Sequence, residues 1–465
     1  MPTASGRTHV VVVGGGNAAL CAAMAAHDLG ARVTVLERAP RPFRGGNTRH
    51  TRNLRTLHRA ADGFVTGPYL FEEFYEDLVG VSSAQLNPEM AGFTIRESES
   101  ISPWMMQHGA RWQAPLKGTL SLARTNHFFL GGGKAVLNAY YQTAGDMGIA
   151  THYDANVVGI RMDSDRCTGV EVAFGHADPV VLDADAVIVA AGGFEANRDW
   201  LREGWGEAAD SLVVRGTRFN DGAMLRILMD SGALTVGDVA GAHAIAVDAR
   251  APRYDAGIIS RLDAIPIGVV VNRAAQRFSD EGADLWPKRY ASWGRLIADQ
   301  PGSVAWAIYD SQVADSTIPG MFPPIQAGSI SALASELGLS PQALEQTIGT
   351  FNAACEIGGS FDLASLDSCR TTNLTPPKSH WARPLDHPPY FGYPLRPGIT
   401  FTYLGVAVDM TARVKTGTGV FSNIYAAGEI MAGNILSRGY LAGFGMTIGS
   451  VWGRIAGREA ASGCR

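Results

Sequence analysis

The stretch His9-Val10-Val11-Val12-Val13-Gly14-Gly15-Gly16-Asn17-Ala18-Ala19 runs on through an apolar segment to Leu29. Ala31-Arg32-Val33-Thr34-Val35-Leu36-Glu37 follows, and together these residues decide how the chain is read. The valines predict a buried strand, the glycines a tight turn, and the alanine-rich run a helix. Arg32 to Leu36 predicts a second strand, ending in an acid. Gly14-x-Gly16-x-x-Ala19 fits the dinucleotide-binding fingerprint, with alanine at its third small position. Gly14 permits the sharp turn, Gly16 lets backbone approach a pyrophosphate, and Ala19 lets the helix sit close to the sheet. The helix N-terminus, at Asn17 and Ala18, offers unpaired N–H groups to phosphate oxygens. Glu37, with Arg38 beside it, is placed to accept both hydroxyls of a ribose. Such a glycine pattern alone is weak. The strand before it, the helix after it and the acid about 20 residues on give it weight.

Composition bounds the rest. A chain of 465 residues has core enough for two or three domains. Hydrophobic residues make up 46% and charged residues 18%, as in ordinary globular proteins. The 55 glycines suit an α/β protein with many turns. A net charge of −5 gives no case for nucleic acid, yet leaves room for a local cationic pocket. No apolar run reaches the length of about 18 residues needed for a membrane-spanning helix. The valines lead into a glycine turn and do not resemble a signal peptide. Cys21, Cys167, Cys355, Cys369 and Cys464 are scattered without CxxC spacing. Reduced thiols, a cytoplasmic location and no metal site are therefore expected.

Further along, Arg41-Pro42-Phe43-Arg44-Gly45-Gly46-Asn47-Thr48-Arg49 reads as a loop laid along phosphates and a ring edge. Residues 67–109 look helical, with Phe71, Phe74, Tyr75, Leu78 and Val79 at core spacing. A helix is expected from about Ala135 to Met147, then an antiparallel ribbon over 157–162, 169–173 and 180–182. Ala186-Val187-Ile188-Val189-Ala190-Ala191-Gly192-Gly193 reads as a buried strand running into small residues. From Gly241 to about Arg383 the character changes, with Trp286, Trp293, Trp306 and a helix opening at Ser340-Pro341. Ile424 to Glu429 gives a last strand and glycine turn. Gly445-Met446 then lies at the start of a closing helix whose N-terminus can neutralise an anionic ring edge. The expected architecture is α/β: a Rossmann-like nucleotide-binding domain (residues 1–240 and 386–465) with an inserted α+β capping domain (241–385).

The fingerprint, Gly45-Gly46-Asn47-Thr48, Ala190-Ala191-Gly192-Gly193 and Ala427-Gly428-Glu429 occur in an order that resembles the fumarate reductase and succinate dehydrogenase flavoproteins, over essentially the whole chain. Within that superfamily the chain is most similar to FAD-dependent tricarballylate dehydrogenases. The stretches that carry this likeness are 43–55, 124–126, Trp286-Pro287-Lys288-Arg289-Tyr290, 394–403 and 433–440. The resemblance implies FAD as cofactor, a mobile cap and oxidation of a C–C single bond beside a carboxylate by hydride transfer to flavin N5. For tricarballylate the product is cis-aconitate. It also implies a separate, membrane-associated iron–sulfur protein as electron acceptor, with no insertion of this chain into the membrane. Asn47 stands where membrane-bound members carry a flavin-linked histidine, so non-covalent FAD is expected.

By the same mapping His243 binds a substrate carboxylate, Arg289 moves the proton, Glu281 relays it and Arg438 clamps a carboxylate. The spacing from Arg438 to the final helix differs from the family's by about two residues. Phe401 replaces a second substrate histidine, which argues against a plain fumarate or succinate site. Arginine forks suit carboxylates because they bind them bidentately and fix the C–H bonds against the cofactor. A guanidinium as base is chemically awkward at a pKa above about 12, so Tyr403 and Tyr290 are alternative proton acceptors. Arg49, Arg52 and Arg124 suit a third carboxylate or the FAD phosphates. The alternatives are a flavin desaturase or reductase of another carboxylate or enone, and an FAD protein that only passes electrons. NAD as the nucleotide is the weakest option.

Overall fold

The computed structural model describes residues 7–82, 86–115, 122–316, 319–356 and 358–463. The opening stretch folds as its pattern predicts: strand His9–Val13, helix Asn17–Asp28, strand Arg32–Leu36. The first strand is central in a six-stranded sheet. Its neighbours run in the order Arg413–Thr416, Gly419–Ala426, Ala186–Val189, His9–Val13, Arg32–Leu36, Ala150–His152. All pairings are parallel except the one at the Arg413 edge. Helices cover the faces of a parallel sheet, so its strands are apolar throughout; every residue of His9–Val13 is buried.

The last helix, Phe444–Ser462, packs along the first. Its glycines recur every four residues and so share one face. A Cβ on Gly453 would lie 2.4 Å from the carbonyl oxygen of Ala18, and one on Gly457 2.3 Å from that of Ala22. The two backbones touch because neither side carries bulk. Asn17 ties the same junction, donating to the Met446 carbonyl (3.2 Å) and to Ser450 Oγ (2.9 Å).

The expected ribbon is present as Ala155–Asp163, Arg166–Phe174 and Val180–Asp183. The region 67–109 is three helices, Phe71–Ser82, Pro88–Ser98 and Ile101–Gln107. The second begins where Asn87 Oδ1 accepts the N–H groups of Glu89 and Met90, both at 3.1 Å. An Asn-Pro start therefore divides what apolar spacing alone reads as continuous.

The cap is built on a second sheet whose hub is the long strand Tyr390–Thr402. Val213–Val214, Ala242–Asp248, Ala305–Asp310 and Ile325–Ala327 all pair with it. The hub lies beyond residue 385, and its partner Val213–Val214 lies before 241, so the cap sheet reaches further on both sides than the expected boundaries. The helix opening at Ser340 runs Pro341–Ala354, with Ser340 Oγ accepting the Ala343 N–H at 3.3 Å. No helix among the described residues is long and apolar enough to cross a membrane. Cys464 lies outside the described residues; the other four cysteines are free and buried.

Candidate active site

A long cleft runs from the glycine turn to the cap sheet. At one end lie Gly14, Gly16, Asn17 and Ala18. Gly14 sits at φ +114°, and a Cβ there would fall 2.3 Å from the Ala190 carbonyl oxygen, so only glycine fits. Thr48 Oγ1 accepts the Asn17 N–H at 3.0 Å, while Gly16 at the N-cap has no side chain, so the N–H groups that follow stay open to an anion. Glu37 lines the cleft with Arg38, which is paired with Asp221 at 2.6 Å. The Glu37 carboxylate accepts the Ala39 N–H (2.8 Å) and the Gly45 N–H (3.0 Å), and burial pushes its pKa up. Gly45 thus acts on Glu37 and does not itself line the cleft. Gly46, Asn47 and Thr48 form one wall, Ala191 and Gly192 another, and Gly428, Glu429, Gly445 and Met446 the remainder.

These residues fit a dinucleotide of the FAD type: a glycine-led helix end for the pyrophosphate, an acid at the second strand tip for the ribose, and a continuing cleft for the ring. Asn47 is fully engaged. Its Nδ2 donates to Glu195, Glu429 and the Thr400 carbonyl, and its Oδ1 accepts the Thr217 N–H at 3.0 Å.

The far end of the cleft is cationic. Arg52, Arg215, Arg261, His243, Tyr290 and Tyr440 line it. Arg261 is anchored, its guanidinium 2.6 Å from Asp263, which also accepts Trp286 Nε1 at 2.5 Å. Arg215 is 3% exposed, and its Nε, like Arg52 Nη2 and His243 Nε2, is buried without a partner among the described residues. Burial, reinforced by Arg261, pushes Arg52 down to about 10 and Arg215 to about 9. Both remain charged at neutral pH. Burial, then Arg215 and Arg261, hold His243 well below its usual value of 6.5, so its imidazole is neutral. Its ring stacks on Tyr440 (centroids 3.9 Å apart) and meets Tyr290 edge-on at 5.5 Å. Thr400 Oγ1 lies 3.1 Å from His243 Nδ1 and accepts from Arg215 Nη1 at 3.4 Å. The Thr400 hydroxyl thus engages Nδ1, which leaves Nε2 as the ring nitrogen open to a ligand. Tyr440 Oη accepts the Gly445 N–H at 2.7 Å.

Of the five residues expected to act in catalysis, only His243 reaches this cleft. Arg289 and Arg438 line a second cavity together with Asp77, Lys288 and Arg295. A wall one residue thick separates the two spaces. His243, Tyr290 and Tyr440 face the cleft, while Ala242, Ala244, Arg289, Ala291 and Gly439 face the second cavity. Glu281 does not meet Arg289: Arg277 (2.5 Å) and the Val270 N–H (2.8 Å) take up its carboxylate. The Tyr403 hydroxyl is fully buried and donates to the Gly439 carbonyl. Arg124 is paired with Glu73 and Arg49 lies over the Phe43 ring, so neither joins Arg52. Arg215 and Arg261 stand in no motif. The signal for them is their burial, which needs the fold.

A nucleotide cradle that opens into a buried cationic pocket fits a nucleotide-dependent oxidoreductase of the flavoprotein type. Residues 9–443 match the FAD_binding_2 model, an FAD binding domain, and the chain belongs to that family. A probable fumarate reductase of Shewanella frigidimarina is 25% identical over 471 residues, covering 98% of this chain and 75% of that protein. The NADH:fumarate oxidoreductase of Klebsiella pneumoniae is 26% identical over 469 residues, 98% of this chain and 48% of that protein. The chain thus spans three quarters of the first relative and about half of the second. Among solved structures, the open conformation of a flavocytochrome c3 fumarate reductase superposes with a TM-score of 0.76 at 23% identity, over 99% of this chain and 79% of that one. The chain is an FAD-dependent oxidoreductase acting on CH–CH bonds.

Proposed function

We infer that the protein oxidises a C–C single bond beside a carboxylate of a small polycarboxylic acid, with tricarballylate, giving cis-aconitate, as the leading candidate. One observation carries this reading: Arg52, Arg215 and Arg261 converge beside His243 with Asp263 as the counter-ion bound to Arg261. Buried cations without counter-charge are costly. Ligand carboxylates supply that charge, whereas an uncharged ligand leaves it missing. Phe401, lining the cleft, gives an apolar wall for the carbon chain.

When bound, non-covalent FAD accepts the hydride. This chain's residues bind, aim and hold protons. Arg215 and Arg52 present free N–H groups to carboxylates. Neutral His243 presents Nε2 to the ligand, held in orientation by Thr400 and by the Tyr440 ring. Tyr290 and Tyr440 place hydroxyls at the same end of the cleft; burial keeps both protonated, so they donate hydrogen bonds to the substrate and do not take up its proton. The resemblance further supports a separate iron–sulfur electron acceptor, and the scattered free cysteines support a cytoplasmic location. The Gly445–Tyr440 contact also favours a second reading, in which that hydroxyl donates to an enone oxygen.

The test is anaerobic mixing of the yellow holoenzyme with tricarballylate or succinate, and of the dithionite-reduced holoenzyme with a cyclic enone, following the visible flavin absorbance. Bleaching by tricarballylate supports the first reading; return of the yellow colour with the enone supports the second. A protein that bleaches only with dithionite and stays bleached with the enone is left with electron transfer alone.

A further inference from the structure

Two carboxyl groups, Glu429 in the cleft wall and Glu195 buried behind it, have no part in the chemistry above. Glu195 is fully buried and Glu429 is 8% exposed. One amide bridges them: Asn47 Nδ2 donates to Glu195 Oε1 at 2.5 Å and to Glu429 Oε2 at 3.1 Å. Asn220 Nδ2 donates to Glu195 Oε1 at 3.0 Å, and the Thr402 N–H to Glu429 Oε1 at 2.9 Å. Glu195 Oε2 has no partner among the described residues, and no cation there pairs with either group.

Two buried carboxyls this close, without a cation, do not both ionise. The open Oε2 of Glu195 is where a proton completes the pair. Burial raises Glu195 to about 7, and burial together with the Glu195 charge raises Glu429 further. The groups that face the pair are Asn47, Asn220 and Thr402. Beyond them stand Arg215, reaching the Thr400 hydroxyl, and the Tyr403 and Tyr440 hydroxyls, whose pKa values burial raises and the Glu429 charge raises a little further.

The place in the cleft matters. A Cβ on Gly428 would meet Ala18 of the nucleotide turn at 2.7 Å, and Thr402 follows Phe401 of the cationic end. Glu429 therefore lines the cleft between its two ends.

We propose that Glu195 and Glu429 form a carboxyl pair that always holds one proton and exchanges a second with solvent, and that this exchange tunes the reduction potential of the bound flavin. Losing the second proton puts a negative charge in the cleft wall and opposes the arrival of electrons. Two-electron reduction of the flavin accordingly draws one further proton from solvent into the pair. This inference rests on FAD as the cofactor and not on the identity of the substrate.

The experiment is a potentiometric titration of the holoenzyme flavin across a pH range centred on about 7. In the native protein the potential falls with an added slope of about 30 mV per pH unit above the pair's titration, the value for one proton per two electrons. Glu195→Gln keeps the shape, removes the exchangeable proton and abolishes the added slope. An E195Q protein that retains it assigns the proton elsewhere, Glu37 included, and overturns the proposal. Native enzyme without the added slope does the same. Should E195Q lose FAD, Asn220→Ser serves instead. Without that donor ionised Glu195 is less stable, and the break moves to higher pH; an unmoved break overturns the pairing. Failure of tricarballylate as a substrate leaves every one of these readings intact.

Discussion

Arg215 shows how one residue acquires its meaning from the fold. Its neighbours in sequence, Val214 and Gly216, say nothing about ligands. The parallel pairing of Val213–Val214 with Gly398–Ile399 sets it against Thr400 and His243. Arg215→Gln is expected to keep flavin and lower kcat/KM for the polycarboxylate by roughly 10²-fold or more, the scale of one charge-stabilising donor. Arg289→Lys, in the second cavity, is expected to cost far less. Steady-state kinetics of the two variants side by side checks the assignment. A pH expectation follows from His243. Its neutral form is favoured well below 6.5, so substrate binding stays level as pH rises through 6.5; a site relying on a protonated histidine would weaken there. Measuring KM on both sides of that pH decides it. Much of this site was legible in the chain. The turn residues and Glu37 carry their chemistry in local spacing, and His243 came through resemblance. Arg289 and Arg438 line the second cavity and not the cleft, because neighbouring residues project to opposite sides. A bulge between His243 and Ala244 and the turn at Tyr290 put neighbours in different cavities. A shift of one position is invisible in sequence and decisive in space.

At the scale of elements, the two helices that meet along small residues are the tightest joint. Gly453→Leu cannot be accommodated beside the Ala18 carbonyl without separating the helices. Overpacking of this kind typically costs about 1–3 kcal/mol, occasionally more. Here it also shifts the start of the first helix, where the pyrophosphate is expected. Denaturant unfolding and FAD titration of the variant are expected to show both losses together. Asn87→Ala removes a helix cap at the protein surface and is expected to cost about 1 kcal/mol with FAD affinity unchanged. The strands and most helices were readable from periodicity and caps, Ser340-Pro341 among them. The breaks in 67–109 were missed because apolar spacing continued across them, and the extent of the cap sheet was missed because Tyr390–Thr402 pairs with strands far away in sequence.

For the whole molecule, the cleft is a seam. Its walls come from the nucleotide turn, the cap sheet and the last helix, and His50–Asp255 (3.0 Å) bridges the turn region to the cap. A ligand filling such a seam stabilises every part that lines it. FAD at 100 times its Kd is worth about 2.7 kcal/mol, so the apoprotein is expected to unfold several degrees below the holoprotein. Thermal scans with and without added FAD measure the difference. If the two midpoints coincide, the cleft contributes nothing to cohesion.

The strand Tyr390–Thr402 crosses that seam unbroken. Its first half is knitted to Ala305–Asp310 in the cap, while its last residues touch Asn47, His243 and Glu429. Mechanically it is a lever with its short arm in the active site. Any displacement of the cap would carry Thr400 and Thr402 with it, and with them the imidazole and the carboxyl pair they hold.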